Sequence, residues 1–137
     1  MRRVAPLIVA LACTFSAAAS FAECPTPMAV RQEYKFSQEI LVGTVESARP
    51  VPQTWDTLDG TNYLVHIDQK VKGKQSGEIT IFDEHSADGF KLQTGKQYLL
   101  FLSNNYQHWI VNKCGNSGEL DQVGPVIKQM AHLLGND

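Results

Sequence analysis

Four histidines and three cysteines carry most of the chemistry this chain could do, and their spacing decides which chemistry. Zinc is held by ligands at short paired intervals, such as His-x-x-x-His or Cys-x-x-Cys. His66, His85, His108 and His132 stand singly, and no such pair exists. Asp83-Glu84-His85 is a dense trio of acids and base. Neighbouring side chains of an extended segment point different ways, so the trio reads as a solvated loop. Nucleophilic catalysis also lacks its signatures, since neither Gly-x-Ser-x-Gly nor Ser-x-x-Lys occurs. No Gly-x-x-x-x-Gly-Lys cradle for phosphate is present. The expectation is a protein without catalytic residues, bound metal or cofactor.

The cysteines point instead to a crosslink. Met1-Arg2-Arg3 is a basic start, Leu7 to Ala12 an apolar run, and Ser20-Phe21-Ala22 a small-x-small cleavage site. This is the layout of a secretory signal peptide spanning residues 1–22. Processing would leave residues 23–137 as one exported domain that keeps Cys24 and Cys114. In an oxidising compartment, two such cysteines are expected to pair. Cys13 admits a second reading, because Ala10-Leu11-Ala12-Cys13 loosely resembles a bacterial lipobox and would make Cys13 a lipid-modified terminus.

The mature chain loses Arg2 and Arg3, leaving 10 Lys and Arg against 14 Asp and Glu, a net charge of −4. A mildly acidic surface argues against a nucleic-acid binder, which concentrates positive charge. No later stretch approaches the ~20 apolar residues of a membrane span, so a soluble, monomeric domain in the periplasm or outside the cell is expected.

The elements that must position these residues are mainly strands. Glu39 to Ser47 is a β-branched apolar run with Gly43 at its centre, where a bulge or bend is expected. Arg49 to Thr61 holds two prolines and an Asp-Gly pair, and reads as a long exposed loop. Asn62 to Val71 alternates, with Tyr63, Val65, Ile67 and Val71 on one face and His66, Asp68, Lys70 and Lys72 on the other. Glu78 to Phe82 is a third strand, followed by a polar loop, Asp83 to Thr94, carrying Gly89. Gln97 to Leu102 is a fourth strand, apolar on both faces and so covered on both sides. His108 to Lys113 is the fifth.

Helices are predicted at both ends. Thr26-Pro27 can start a short one through Phe36, with Thr26 as its cap. Pro125 and Gly135 bracket a second, with Val126, Ile127, Met130, Leu133 and Leu134 on one stripe. Five strands with terminal helices suggest a small β-barrel. Most aromatics fall on apolar strand faces and read as core. Trp55, in the proline-bearing loop, is either a plug folded back on the barrel or an exposed contact for a partner. Gly115-Asn116-Ser117-Gly118 reads as a flexible turn after Cys114.

The order of motifs resembles a known family. Leu41-Val-Gly-Thr-Val45 is followed by Tyr63-x-Val-x-Ile67 and Val71-Lys-Gly73. Leu92-x-x-Gly95-x-x-Tyr98-Leu-Leu-Phe-Leu102 and Cys114-Gly-Asn-Ser-Gly-x-Leu120 complete the series. From about Cys24 to Leu120 the chain resembles the N-terminal domain of tissue inhibitors of metalloproteinases, and more closely the bacterial exported proteins of that superfamily. The resemblance implies a netrin-module-like OB-fold, a five-stranded Greek-key barrel with a short N-terminal helix and an amphipathic C-terminal one. In the animal inhibitors, the amine and carbonyl of an N-terminal cysteine chelate the protease zinc. Here Glu23 would precede Cys24, displacing that amine, and Thr26 replaces the second cysteine of the family's Cys-x-Cys pair.

The expected function is therefore binding of an extracytoplasmic protease or other envelope protein, without catalysis. The expected edge comprises Glu23, Cys24, Pro25, Thr26 and Pro27 with the loops bearing Trp55, Gly115 and Asn116. The alternative is a module binding a cell-envelope polymer or small ligand through a barrel face that carries His66 and His108.

Overall fold

The computed structural model describes Cys24, residues 26–56, 59–85 and 90–135. Residues 1–22, read as a signal peptide and including Cys13, lie outside these described residues, as do Glu23, Pro25 and Gly89. The elements are α1 (Val30–Phe36), β1 (Glu39–Val51), β2 (Gly60–Lys72), β3 (Glu78–Glu84), β4 (Gln97–Asn105), β5 (His108–Val111), β6 (Gly118–Glu119) and α2 (Gly124–Leu134).

Five strands close into a ring in the order β1-β2-β3-β5-β4, with β4 returning to pair with β1. Every pairing is antiparallel except β3–β5, which meet in parallel at Ile81 and Trp109. β6 adds to β4 opposite Tyr98 and Leu99. Alternation along β4 explains how it serves two cores. Tyr98, Leu100 and Leu102 point into the ring with Leu41, Val45, Val65 and Ile81. Leu99 and Phe101 point out, where Ile40, Val30 of α1 and Met130 of α2 cover them. Each fully buried Leu, Ile or Phe removes enough apolar surface from water to contribute about 1.5–3 kcal/mol. The two-sided apolar run is thus a strand sandwiched between the ring interior and the helices, as its pattern predicts.

β1 and β2 are unusually long, at 13 residues each. The register shifts at Val42/Gly43, and a Cβ at Gly43 would lie 2.5 Å from Val65 Cγ1 and 2.9 Å from the His66 carbonyl. Glycine lets the two strands approach at this bulge. Val71 does not share the ring-facing side with Tyr63 and Val65. It packs against the helix-side core.

Several boundaries differ from the sequence reading: β4 runs on to Asn105, past Leu102, and β5 ends at Val111, before Lys113. The expected long loop is shorter, because β1 continues to Val51 and β2 begins at Gly60, with Pro50 paired opposite Thr61. Beyond Thr44, β1 pairs with β2 alone, and such an edge tolerates a proline, which has no N–H to donate. α1 starts at Val30, not at Thr26-Pro27, and its N-cap Ala29 makes no side-chain cap bond. The preceding residues are tied across the molecule instead of capping the helix. Asp83 and Glu84 belong to β3, since they pair with Thr61 and Gly60. α2 follows its predicted bounds, and the amide of Gly135 closes it on the Ala131 carbonyl. Among the described residues, no helix is long and apolar enough to cross a membrane.

Candidate functional site

Cys24 and Cys114 form a disulfide, with Cα atoms 5.5 Å apart across 90 residues of sequence. The bond points to an oxidising, extracytoplasmic compartment. It fastens the start of the domain to the turn that follows β5. That turn is built locally: the Cys114 amide donates to Asn112 Oδ1 at 3.0 Å and the Gly115 amide to the Asn112 carbonyl at 3.0 Å. The Met28 amide then donates to the Cys114 carbonyl at 3.4 Å.

Asn116 completes the brace. Its Nδ2 donates to the Met28 carbonyl at 2.8 Å and to Glu33 Oε2 at 2.7 Å, while its backbone amide donates to the same Oε2 at 2.6 Å. Glu33 lies on α1 and is only 3% exposed. Its other oxygen, Oε1, is buried and has no hydrogen-bond partner. A Cβ on Gly115 would sit 1.9 Å from that oxygen, so only glycine fits beneath the carboxyl group. Burial raises the Glu33 carboxyl above the ordinary glutamate range, and the Asn116 hydrogen bonds offset part of the rise. The supposed flexible turn is in fact a fixed one. Ser117 Oγ accepts the Phe101 amide at 2.8 Å, and Gly118 enters β6.

A second buried carboxylate offers a contrast. Glu39, at 4% exposed, accepts the amides of Lys74 and Gln75 in the β2–β3 turn, the shorter bond being 2.7 Å. Both of its oxygens have donors. Neither Glu33 nor Glu39 is prominent in the sequence, because each partner lies across the fold.

Thr26 and Pro27 are exposed along the fastened segment. The structure therefore brings Cys24, Thr26, Pro27, Gly115 and Asn116 together. Trp55 stands elsewhere. It lies beyond Val51, at the opposite end of β1 from Glu39, which pairs with Leu102 near the disulfide end. At ~3.3 Å per residue, a strand of that length separates its two ends by up to ~40 Å. Trp55 is 96% exposed, in a turn where Thr54 Oγ1 donates to Asp56 Oδ1 at 2.6 Å. Of the two readings of this tryptophan, the plug is excluded and the exposed side chain stands.

The histidines do not converge. His66 on β2 faces Thr44 and Glu78, and His108 on β5 lies with its ring 5.2 Å from Phe82. His85 is no free loop residue: its Nε2 is 2.8 Å from Thr61 Oγ1 and its Nδ1 3.3 Å from Asp59 Oδ2. The ring clasps the start of β2 to the end of β3. Asp83 beside it is pushed upward by burial, against a hydrogen bond from the Phe90 backbone. Among the described residues, no three His, Cys, Asp or Glu side chains gather as a metal would require. A shallow cleft lined by Lys96, Gln97, Glu119, Leu120 and Asp121 is crossed by the 2.7 Å Lys96–Glu119 ion pair.

No family model and no curated protein matches this chain.

Proposed function

We propose that the chain is an exported, non-enzymatic protein-binding domain on an OB-fold barrel of the metalloproteinase-inhibitor-like group. A five-stranded ring with β3 and β5 parallel is compatible with that fold. The observation that carries the reading is the anchored edge at Cys24 to Met28. Cys24 is fixed by the disulfide and Met28 by Asn116, and the exposed Thr26 and Pro27 near them have little ordering entropy left to lose. Preorganised segments of this kind are suited to the cleft of a partner protein, an extracytoplasmic protease above all. With Glu23 ahead of Cys24, contact rests on the shape of the edge and not on chelation by the Cys24 amine.

The test is an inhibition and binding panel of extracytoplasmic zinc proteases against the mature protein. At least one protease is expected to bind, and Thr26→Arg is expected to weaken that complex tenfold or more with no loss of folding. Acetylation of the N-terminal amine should leave affinity unchanged. A complex indifferent to Thr26→Arg, or a panel with no complex, would remove the edge as an inhibitory site.

A further inference from the structure

The Glu33 carboxyl group makes an asymmetric set of contacts. Both Asn116 donors fall on Oε2, at 2.6 and 2.7 Å, and none falls on the buried Oε1. An ionised carboxylate shares its charge over two oxygens and seeks donors on each. A neutral acid has one carbonyl oxygen that accepts and one hydroxyl that carries the proton. For Glu33 the second form leaves only an uncharged hydroxyl at the buried, unpartnered Oε1, where the ionised form would leave a charged oxygen without a donor. Glu39, buried to a similar degree, has donors on both oxygens instead.

We propose that Glu33 is the positioning residue of the N-terminal edge: as a neutral acid it holds Asn116, which fastens Met28, and loss of its proton loosens that fastening. The link is direct, because one Asn116 side-chain nitrogen donates to both Glu33 Oε2 and the Met28 carbonyl. The device deepens the proposed function, and it rests on that reading only in treating residues 24–28 as the contact edge.

Charges on the surrounding elements do not set this behaviour. Arg31 and Lys35 on α1, Lys113 in the turn, and Lys128 and His132 on α2 are all exposed. β4 contributes the apolar Leu99 and Phe101 to this core. The influences on Glu33 are burial, which raises it, and the two Asn116 hydrogen bonds, which lower it. The sign follows. A carboxyl group raised in the closed state binds its proton more tightly there than in the open state. Closure is then favoured below the open-state value, and this advantage is lost as pH rises through the closed-state value.

The experiment uses the free, mature protein, so that its failure is separate from any failure to find a partner. Amide resonances of Asn116 and the side-chain carboxyl carbon of Glu33 are followed by NMR from about pH 3.5 to 8. Both are expected to move in one transition, with a midpoint above the ordinary glutamate value of about 4.3. Hydrogen exchange at Asn116, corrected for its intrinsic rate, should show the opening constant rising about tenfold per pH unit of that elevation. In Glu33→Gln, which cannot ionise, the raised Asn116 transition should vanish. A Glu33 midpoint in the ordinary range, or a raised Asn116 transition that persists in Glu33→Gln, would overturn the proposal. Where that variant fails to fold, the wild-type carboxyl titration and Asn116 exchange decide the matter.

Discussion

The two ends of β1 are built by opposite rules. At its start, residues Glu39 to Thr44 pair with β2 on one side and β4 on the other, and both helices cover the outer face. The disulfide, Glu33, Asn116 and Glu39 all work at this end. At its finish, Glu46 to Pro50 are exposed, and the strand pairs with β2 alone. There the chain offers Trp55 to solvent with no apolar cover. Long-range bonds are concentrated where Cys24 and Met28 have to be held, because a short stretch ahead of α1 buries too little surface to hold itself. The β1–β2 arm carries its own ladder of hydrogen bonds, to which His85 adds a clasp from the end of β3 to Asp59 and Thr61.

The strongest way to break this contrast is to cut the covalent brace. Replacing Cys24 and Cys114 together by serine is expected to cost about 2–5 kcal/mol, read from denaturant midpoints. Hydrogen exchange should show the loss concentrated at Met28 and residues 114–118, with amides of the distal β1–β2 arm protected as before relative to global unfolding. A smaller loss is expected from Asn116→Ala, about 1–3 kcal/mol, because the buried Glu33 carboxyl and the Met28 carbonyl would each lose the Asn116 side-chain donor. Equal destabilisation by Asn116→Asp at high pH and at low pH would dull the comparison, since repulsion between two ionised carboxylates should make the high-pH loss the larger. The smallest effect belongs to the arm. Trp55→Ala should leave stability within about 0.5 kcal/mol, as surface changes away from packed or bonded features do. A larger loss in thermal or chemical unfolding would mean that the indole supports the fold after all.

Much of the architecture was legible because strands and amphipathic helices leave short-range patterns. Residues Tyr98 to Leu102 announced a strand covered on both faces, and the structure places the ring core on one side and the helices on the other. Pro125 and Gly135 marked a helix within a residue of its true bounds. Gly43 signalled its bulge. The pairing of Cys24 with Cys114 followed from export and from their number. Reading failed where a local cue had a distant cause. Pro50 resembled a loop residue, yet it sits on a strand whose second edge is unpaired. Thr26-Pro27 resembled a helix start, yet Met28 and Cys24 are held by residues of the turn after β5. Gly115 and Asn116 resembled slack, yet they enclose a buried acid.

By itself, the sequence determined the strand-rich class, the terminal helices and the crosslink, since each depends on side-chain periodicity or on a few chemically distinctive residues. Only the tertiary structure decided that Asn116 would meet Glu33, 83 residues away, that Glu39 would be saturated while Glu33 was not, and that Trp55 would stand in water. The physical reason is that the state of a buried carboxyl group depends on which donors and how much solvent surround it. Those neighbours come from separate elements and meet only when the ring closes.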